Sequence, residues 1–143
     1  MLLYAWFPSG YLEFPLVMAT KFTKEWKDVV LCVETEDDFK KETSYKGLCV
    51  IEVYSKWCGP CQCTVPTLRK LHKDLVEDKG CGIKFIQAQS DEIAVLKDFK
   101  QRTKPAFLFY KKGVKVHEID GVNTHFLKSF VEESAPSNSD MAD

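Results

Sequence analysis

From Leu48 to Tyr54 the chain reads Leu-Cys-Val-Ile-Glu-Val-Tyr, an apolar run broken by a single carboxylate. Apolar residues at odd and even positions alike suit a strand covered on both faces, and such strands belong to sheets with helices packed on each side. The flanking segments supply those elements. Residues 29–34 are β-branched and apolar and predict a short strand. Thr35, followed by Glu36, Asp37 and Asp38, predicts the capped start of a helix that ends at Gly47.

Beyond the central run, Val65, Leu68, Leu71, Leu75 and Val76 recur at helical spacing as far as Gly80, and Pro66 is expected to kink that helix. Residues 83–88 predict a third buried strand. Ser90 or Asp91 is expected to cap a short helix that turns Ile93, Leu96 and Phe99 inward. Residues 106–110 form a further strand, Lys111-Lys112-Gly113 a hairpin turn, and residues 114–119 its antiparallel return. Asn123 or Thr124 caps a last helix with Leu127, Phe130 and Val131 inward. Alternation first and a hairpin last predict an α/β fold, a mixed sheet flanked by helices on both faces.

These elements occupy residues 29–134 as one domain. Residues 135–143 are rich in Ser, Asn and Asp and are expected to be a disordered tail. Residues 1–28 hold Trp6, Phe7, Tyr11, Phe14 and Trp26 without periodicity. Two readings stand for this extension: a segment that docks its aromatics on a partner, or, for the part before Met18, translation from an upstream start codon. No Lys or Arg leads the first residues, and Pro8, Gly10, Glu13 and Pro15 interrupt the apolar stretch, so neither an export signal nor a membrane span is expected.

Charge excludes one class of partner. The chain has 20 Lys and Arg against 21 Asp and Glu, a net charge of −1. That balance lacks the positive field needed to hold a phosphate backbone, so nucleic acid is not an expected partner. Six cysteines in a chain of this size could make a disulfide scaffold, but Cys32 and Cys49 fall inside apolar runs and read, with Cys81, as packing thiols in a reducing compartment.

The chemistry-bearing motif is Trp57-Cys58-Gly59-Pro60-Cys61, directly after the central strand. Thiol–disulfide exchange needs an exposed, stabilised thiolate close to a second thiol. A helix beginning near Gly59 would put Cys58 at its N-terminus, where unpaired N–H groups favour the thiolate. Pro60 would sit in the first turn, where its missing N–H costs nothing. Cys61, three residues on, would share a face with Cys58 and resolve its mixed disulfide. Cys63 adds a third thiol, but no second cysteine pair follows to complete a zinc set, so no metal is expected and the exchange calls for no cofactor.

Trp-Cys-Gly-Pro-Cys after a buried strand, with Pro66 eight residues beyond the first Cys and Pro105 before a late strand, resembles the thioredoxin family. The resemblance implies the thioredoxin fold, protein disulfides as substrates, Trp57 shielding the site, a cis Pro105 against the two sulfurs, and Glu52 as the buried acid that relays the proton of Cys61. Glu52 stands where the family usually has Asp, Gln62 replaces a basic residue, Ile86 replaces a lysine, and Lys104 precedes Pro105 where an apolar residue or Thr is usual.

Residues 47–54, 105–110 and Gly121-Val122-Asn123-Thr124 further resemble the thioredoxin-like light chains of axonemal outer-arm dynein and the thioredoxin domains of ciliary and sperm thioredoxin–nucleoside diphosphate kinase proteins. That likeness implies dynein heavy or intermediate chains and other axonemal proteins as partners, and a place in the cytoplasm and the ciliary axoneme. The alternative it leaves is a free cytosolic protein-disulfide reductase.

Overall fold

Strand β2 (Leu48–Tyr54) lies at the centre of a five-stranded sheet of order β1-β3-β2-β4-β5. The computed structural model describes residues 29–142, so the expected docking segment at residues 1–28 lies outside the described residues. Strands β1 (Val30–Val33) and β3 (Ile83–Gln89) run parallel to β2, whereas β4 (Ala106–Lys111) and β5 (Val114–Asp120) are antiparallel additions. Lys112 and Gly113, both at positive φ, make the tight turn between β4 and β5, whose twist matches that of the paired strands.

The period of two along β2 divides the core. Leu48 and Val50 face one side with Phe85 of β3 and Phe107 and Phe109 of β4. Helix α2 (Val65–Leu71), which runs on as a π-helical stretch (His72–Glu77), and helix α3 (Thr124–Ser134) cover that side through Leu68, Leu71, Leu75, Leu127 and Val131. Cys49, Ile51 and Val53 face the other side, under helix α1 (Glu36–Thr43) and a 3₁₀ segment (Ala94–Phe99) that contribute Phe39, Ile93, Leu96 and Phe99. By the same alternation Glu52 points to the α2 side.

The caps follow the sequence reading in two places. The Thr35 hydroxyl accepts the Asp38 N–H at 3.3 Å, and the Asn123 amide oxygen accepts the Phe126 N–H at 3.0 Å. At the 3₁₀ segment the reading is corrected. Neither Ser90 nor Asp91 caps it; the Ala94 N–H is taken by the Glu36 carboxylate of α1 at 3.2 Å, a tertiary contact that no local pattern announces. The spacing of Ile93, Leu96 and Phe99 is three, which matches the three residues per turn of a 3₁₀ helix.

Two further expectations change. Pro66 does not kink α2, because the helix begins at Val65 and the proline falls in its first turn, where no N–H is required. The tail is not wholly irregular: helix α4 (Asn138–Met141) is held by a reciprocal cap between Ser137 and Asp140 and lays Met141 against Gly82 and Asn138 against Gly80.

Candidate active site

Strand β2 ends at Tyr54, and the segment that follows carries the Trp57–Cys61 motif before α2 starts. This segment is pinned rather than loose. The Ser55 hydroxyl donates to the Lys100 carbonyl at 2.9 Å, and the Ser55 carbonyl accepts the N–H groups of Cys58 and Gly59 at 3.0 and 2.9 Å. The Lys56 N–H donates to the Asp91 carboxylate at 2.8 Å, so Asp91 anchors the turn instead of capping a helix. Gly59 adopts φ of +74°, a left-handed conformation that glycine takes without the Cβ penalty.

That geometry corrects the expected placement of Cys58 at a helix N-terminus. Gly59 at positive φ and Pro60 without a donor interrupt the helical ladder. A helix running from Gly59 through Pro66 would also lose the proline's hydrogen bond and meet its ring. Starting at Val65 avoids both costs. Cys58 therefore sits in an exposed turn well ahead of α2.

Cys58, Gly59, Pro60 and Cys61 line one cavity of about 230 Å³, which Phe99 and the segment from Arg102 to Pro105 also line. Pro105 is thus brought to the thiols as expected. Its peptide bond is not cis, since no bond among the described residues is. The trans isomer found is the one an X–Pro bond favours by about 0.5–1 kcal/mol. Trp57 is 66% exposed and does not line the cavity, so the shielding role is not seen in this arrangement.

Cys61 is half-buried, and burial pushes its thiol above the usual range; the N–H groups of Cys63 and Thr64, which would stabilise its thiolate, offset this in part. Beneath it lies Glu52, 1% exposed. The Cys61 N–H donates to Glu52 Oε1 at 2.7 Å and the Gln87 amide donates to Glu52 Oε2 at 3.0 Å. Desolvation raises the carboxyl above its ordinary range, and those two donors act against the rise. A carboxyl so placed can take up a proton near Cys61.

Two residues at this site escaped the sequence reading. Gln87 is the partner of Glu52 because the parallel register sets the two side by side across β2 and β3. Its one sequence signal was an amide inside an otherwise apolar strand. Thr64 is fully buried and its hydroxyl donates to the Cys61 carbonyl at 3.2 Å, joining the turn to the start of α2.

The remaining thiols separate by environment. Cys49 is buried, its thiol pushed up to about 11 by desolvation, and it donates to the Glu42 carbonyl, as an inert packing residue should. Cys81 is half-buried against the core. Cys32 departs from the expectation: β1 is an edge strand, and its sulfur is exposed with a long contact of 3.9 Å to the Gln87 oxygen. Among the described residues no helix is long and apolar enough to cross a membrane.

A buried strand delivering a Cys-Gly-Pro-Cys turn, in a mixed sheet of this order, defines a thioredoxin-type domain. The thioredoxin family model matches residues 30–133, and the chain belongs to that family. It is similar to the 16 kDa light chain of the flagellar outer-arm dynein of Chlamydomonas reinhardtii, 32% identical over 78% of this chain and 72% of that protein. The 14 kDa light chain of the same arm is 38% identical over 62% of this chain and 67% of that one. Human thioredoxin domain-containing protein 3 is 42% identical over 54% of this chain, a match that spans 13% of the longer protein. Among solved structures, Malassezia sympodialis thioredoxin superposes with a TM-score of 0.59 at 26% identity, over 73% of this chain and 92% of its own.

Proposed function

We propose that this protein is a light-chain subunit of a ciliary outer-arm dynein complex and that it carries a working exchange dithiol. The observation that carries the chemistry is the pairing of exposed Cys58 with half-buried Cys61 on one cavity, with buried Glu52 held against the Cys61 amide. The Cys58 thiolate attacks a target disulfide, forms a Cys58–target bond and displaces the other target sulfur as a thiolate. Cys61, giving its proton towards Glu52, attacks the Cys58 sulfur and displaces the second target sulfur. The target gains two electrons and two protons, Cys58 and Cys61 end as a disulfide, and a dithiol reductant restores them.

The likeness to two outer-arm light chains supports the assembly reading. With that reading go a location in the cytoplasm and axoneme and dynein heavy or intermediate chains as partners. Residues 1–28 would then dock the chain through their aromatics. A Cys61→Ser variant expressed in ciliated cells stalls at the mixed disulfide and reports its partners. Dynein chains on Cys58 support the subunit; a spread of unrelated cytosolic proteins favours a free reductase instead. Wild-type protein that reduces a protein disulfide no faster than free dithiothreitol removes the exchange chemistry altogether. Deleting residues 1–28 is expected to release the protein from the complex, and retention would count against the docking role.

A further inference from the structure

The cavity holding Cys58 and Cys61 is also lined by Arg102, Thr103, Lys104 and Pro105, from the link between the 3₁₀ segment and β4. Two of its lining residues carry a full charge, Arg102 and Lys104, and both are cations. No carboxylate lines it. Glu52 lies beneath Cys61 rather than on the wall, and Asp91 is committed to the Lys56 N–H.

The two cations differ in how far they are already satisfied. Arg102 bonds Asp120 and, at 3.5 Å, Glu118, and its guanidinium lies 4.4 Å from the centre of the Phe99 ring. Those two β5 carboxylates largely cancel its charge. Lys104 is exposed and has no carboxylate partner among the described residues. It stands next to Pro105 and lines the same cavity as Cys58.

We infer that the target segment read by this site carries an acidic residue beside its disulfide cysteine, and that Lys104 is the side chain that reads it. The inference rests on the exchange reading above. A carboxylate next to the target cysteine finds an uncompensated cation at the cavity and no carboxylate, the one like charge there being that of the attacking Cys58 thiolate. A lysine or arginine in that place meets the uncompensated Lys104 cation and no unpaired acid on the lining. Because the pair forms at a solvent-exposed rim, its effect is on encounter and orientation, and it weakens with salt.

Three disulfide peptides that differ only in the residues flanking cysteine, Glu, Gln or Lys, test this with the full chain. Wild-type protein at low ionic strength is expected to reduce the Glu peptide roughly two- to fivefold faster than the Gln peptide, the factor set by one exposed ion pair. The Lys peptide is expected to be slowest, and high salt to compress the order. Lys104→Glu is expected to invert the Glu-to-Lys preference. Lys46→Glu makes the same charge change before the start of β2, about 20 Å away along the strand, and is expected to keep the preference. Equal rates for the three peptides, or an acidic preference that survives Lys104→Glu, overturn the inference while the exchange reading stands. A wild-type protein that fails to reduce even the Gln peptide removes the exchange reading and this inference with it.

Discussion

Replacing Glu52 by Gln separates what the buried carboxyl does for chemistry from what it costs the fold. Glu52 is 1% exposed, and its pKa is raised above an ordinary value of 4.5 by desolvation, against the pull of the Gln87 and Cys61 donors. A carboxyl raised on folding holds its proton more tightly in the native state than in the unfolded one. Stability is therefore unaffected below pH 4.5, declines as pH rises from there through the native pKa, and stays reduced above it. Each unit of elevation corresponds to about 1.4 kcal/mol at pH values beyond the native pKa.

A glutamine side chain in place of Glu52 would keep both bonds. Its oxygen can accept the Cys61 N–H, and its NH₂ can meet Gln87 once the Gln87 amide turns over, at the expense of only the 3.9 Å contact from Cys32. Glu52→Gln is accordingly expected to match wild type at about pH 4 and to become the more stable protein as pH rises towards neutrality, by the penalty removed. Glu52→Ala removes the acceptor as well and orphans two buried donors, each at about 1–3 kcal/mol, so it is expected to lose stability across the range. Urea unfolding of the three proteins between about pH 4 and 8 measures these differences. A gap between wild type and Glu52→Gln that is flat with pH, or that narrows as pH rises, would refute the argument.

Other outcomes follow from the same geometry. The Cys61 thiol is raised above 9.0 by burial, so resolution of the Cys58 mixed disulfide is expected to quicken as pH climbs through 9. In single-turnover kinetics at neutral pH, Glu52→Gln is expected to slow that step by about a hundredfold or more, the contribution of a positioned proton acceptor, and an unchanged rate would exclude the relay. Alkylation read by mass spectrometry is expected to modify exposed Cys32, Cys58 and Cys63 in the native protein and to spare Cys49 until it unfolds; native labelling of Cys49 would contradict its burial. A Cβ at Gly47 would collide with the Gly82 carbonyl, a backbone atom that cannot swing aside, so Gly47→Ala is expected to cost about 1–3 kcal/mol in unfolding experiments. A melting temperature equal to wild type would show that this backbone yields.

Local chemistry made much of this protein readable in advance. The doubly apolar run of β2, the Thr35 and Asn123 caps, the Lys112-Gly113 turn and the Cys-Gly-Pro-Cys motif each announce themselves within a few neighbouring residues, because backbone geometry, capping and side-chain period act over that range. Those features were enough for the order of elements, the two covered faces and the position of the thiols. They misled where a distant segment supplied the decisive partner. Glu36 occupies the amide that Ser90 or Asp91 was expected to take, and Met141 and Asn138 pack a tail that looked unstructured. The start of α2 slipped from Gly59 to Val65 because two prolines and a left-handed glycine compete for where a helix can begin, and the pinning of the turn by Ser55 and Asp91 selects one solution.

The environment of the thiols lies beyond any reading of neighbours. Cys49 and Cys32 occupy similar apolar stretches, yet one is sealed at the centre of the sheet and the other open on its edge, since strand order rather than composition sets exposure. Glu52 meets Gln87 through a register across 35 residues of chain, and Lys104 comes to share a cavity with Cys58 through the path of the link after the 3₁₀ segment. Residue types and their short-range spacing named the candidate reacting groups; burial, pairing and unpaired charge came from long-range packing, which depends on where the chain returns in space.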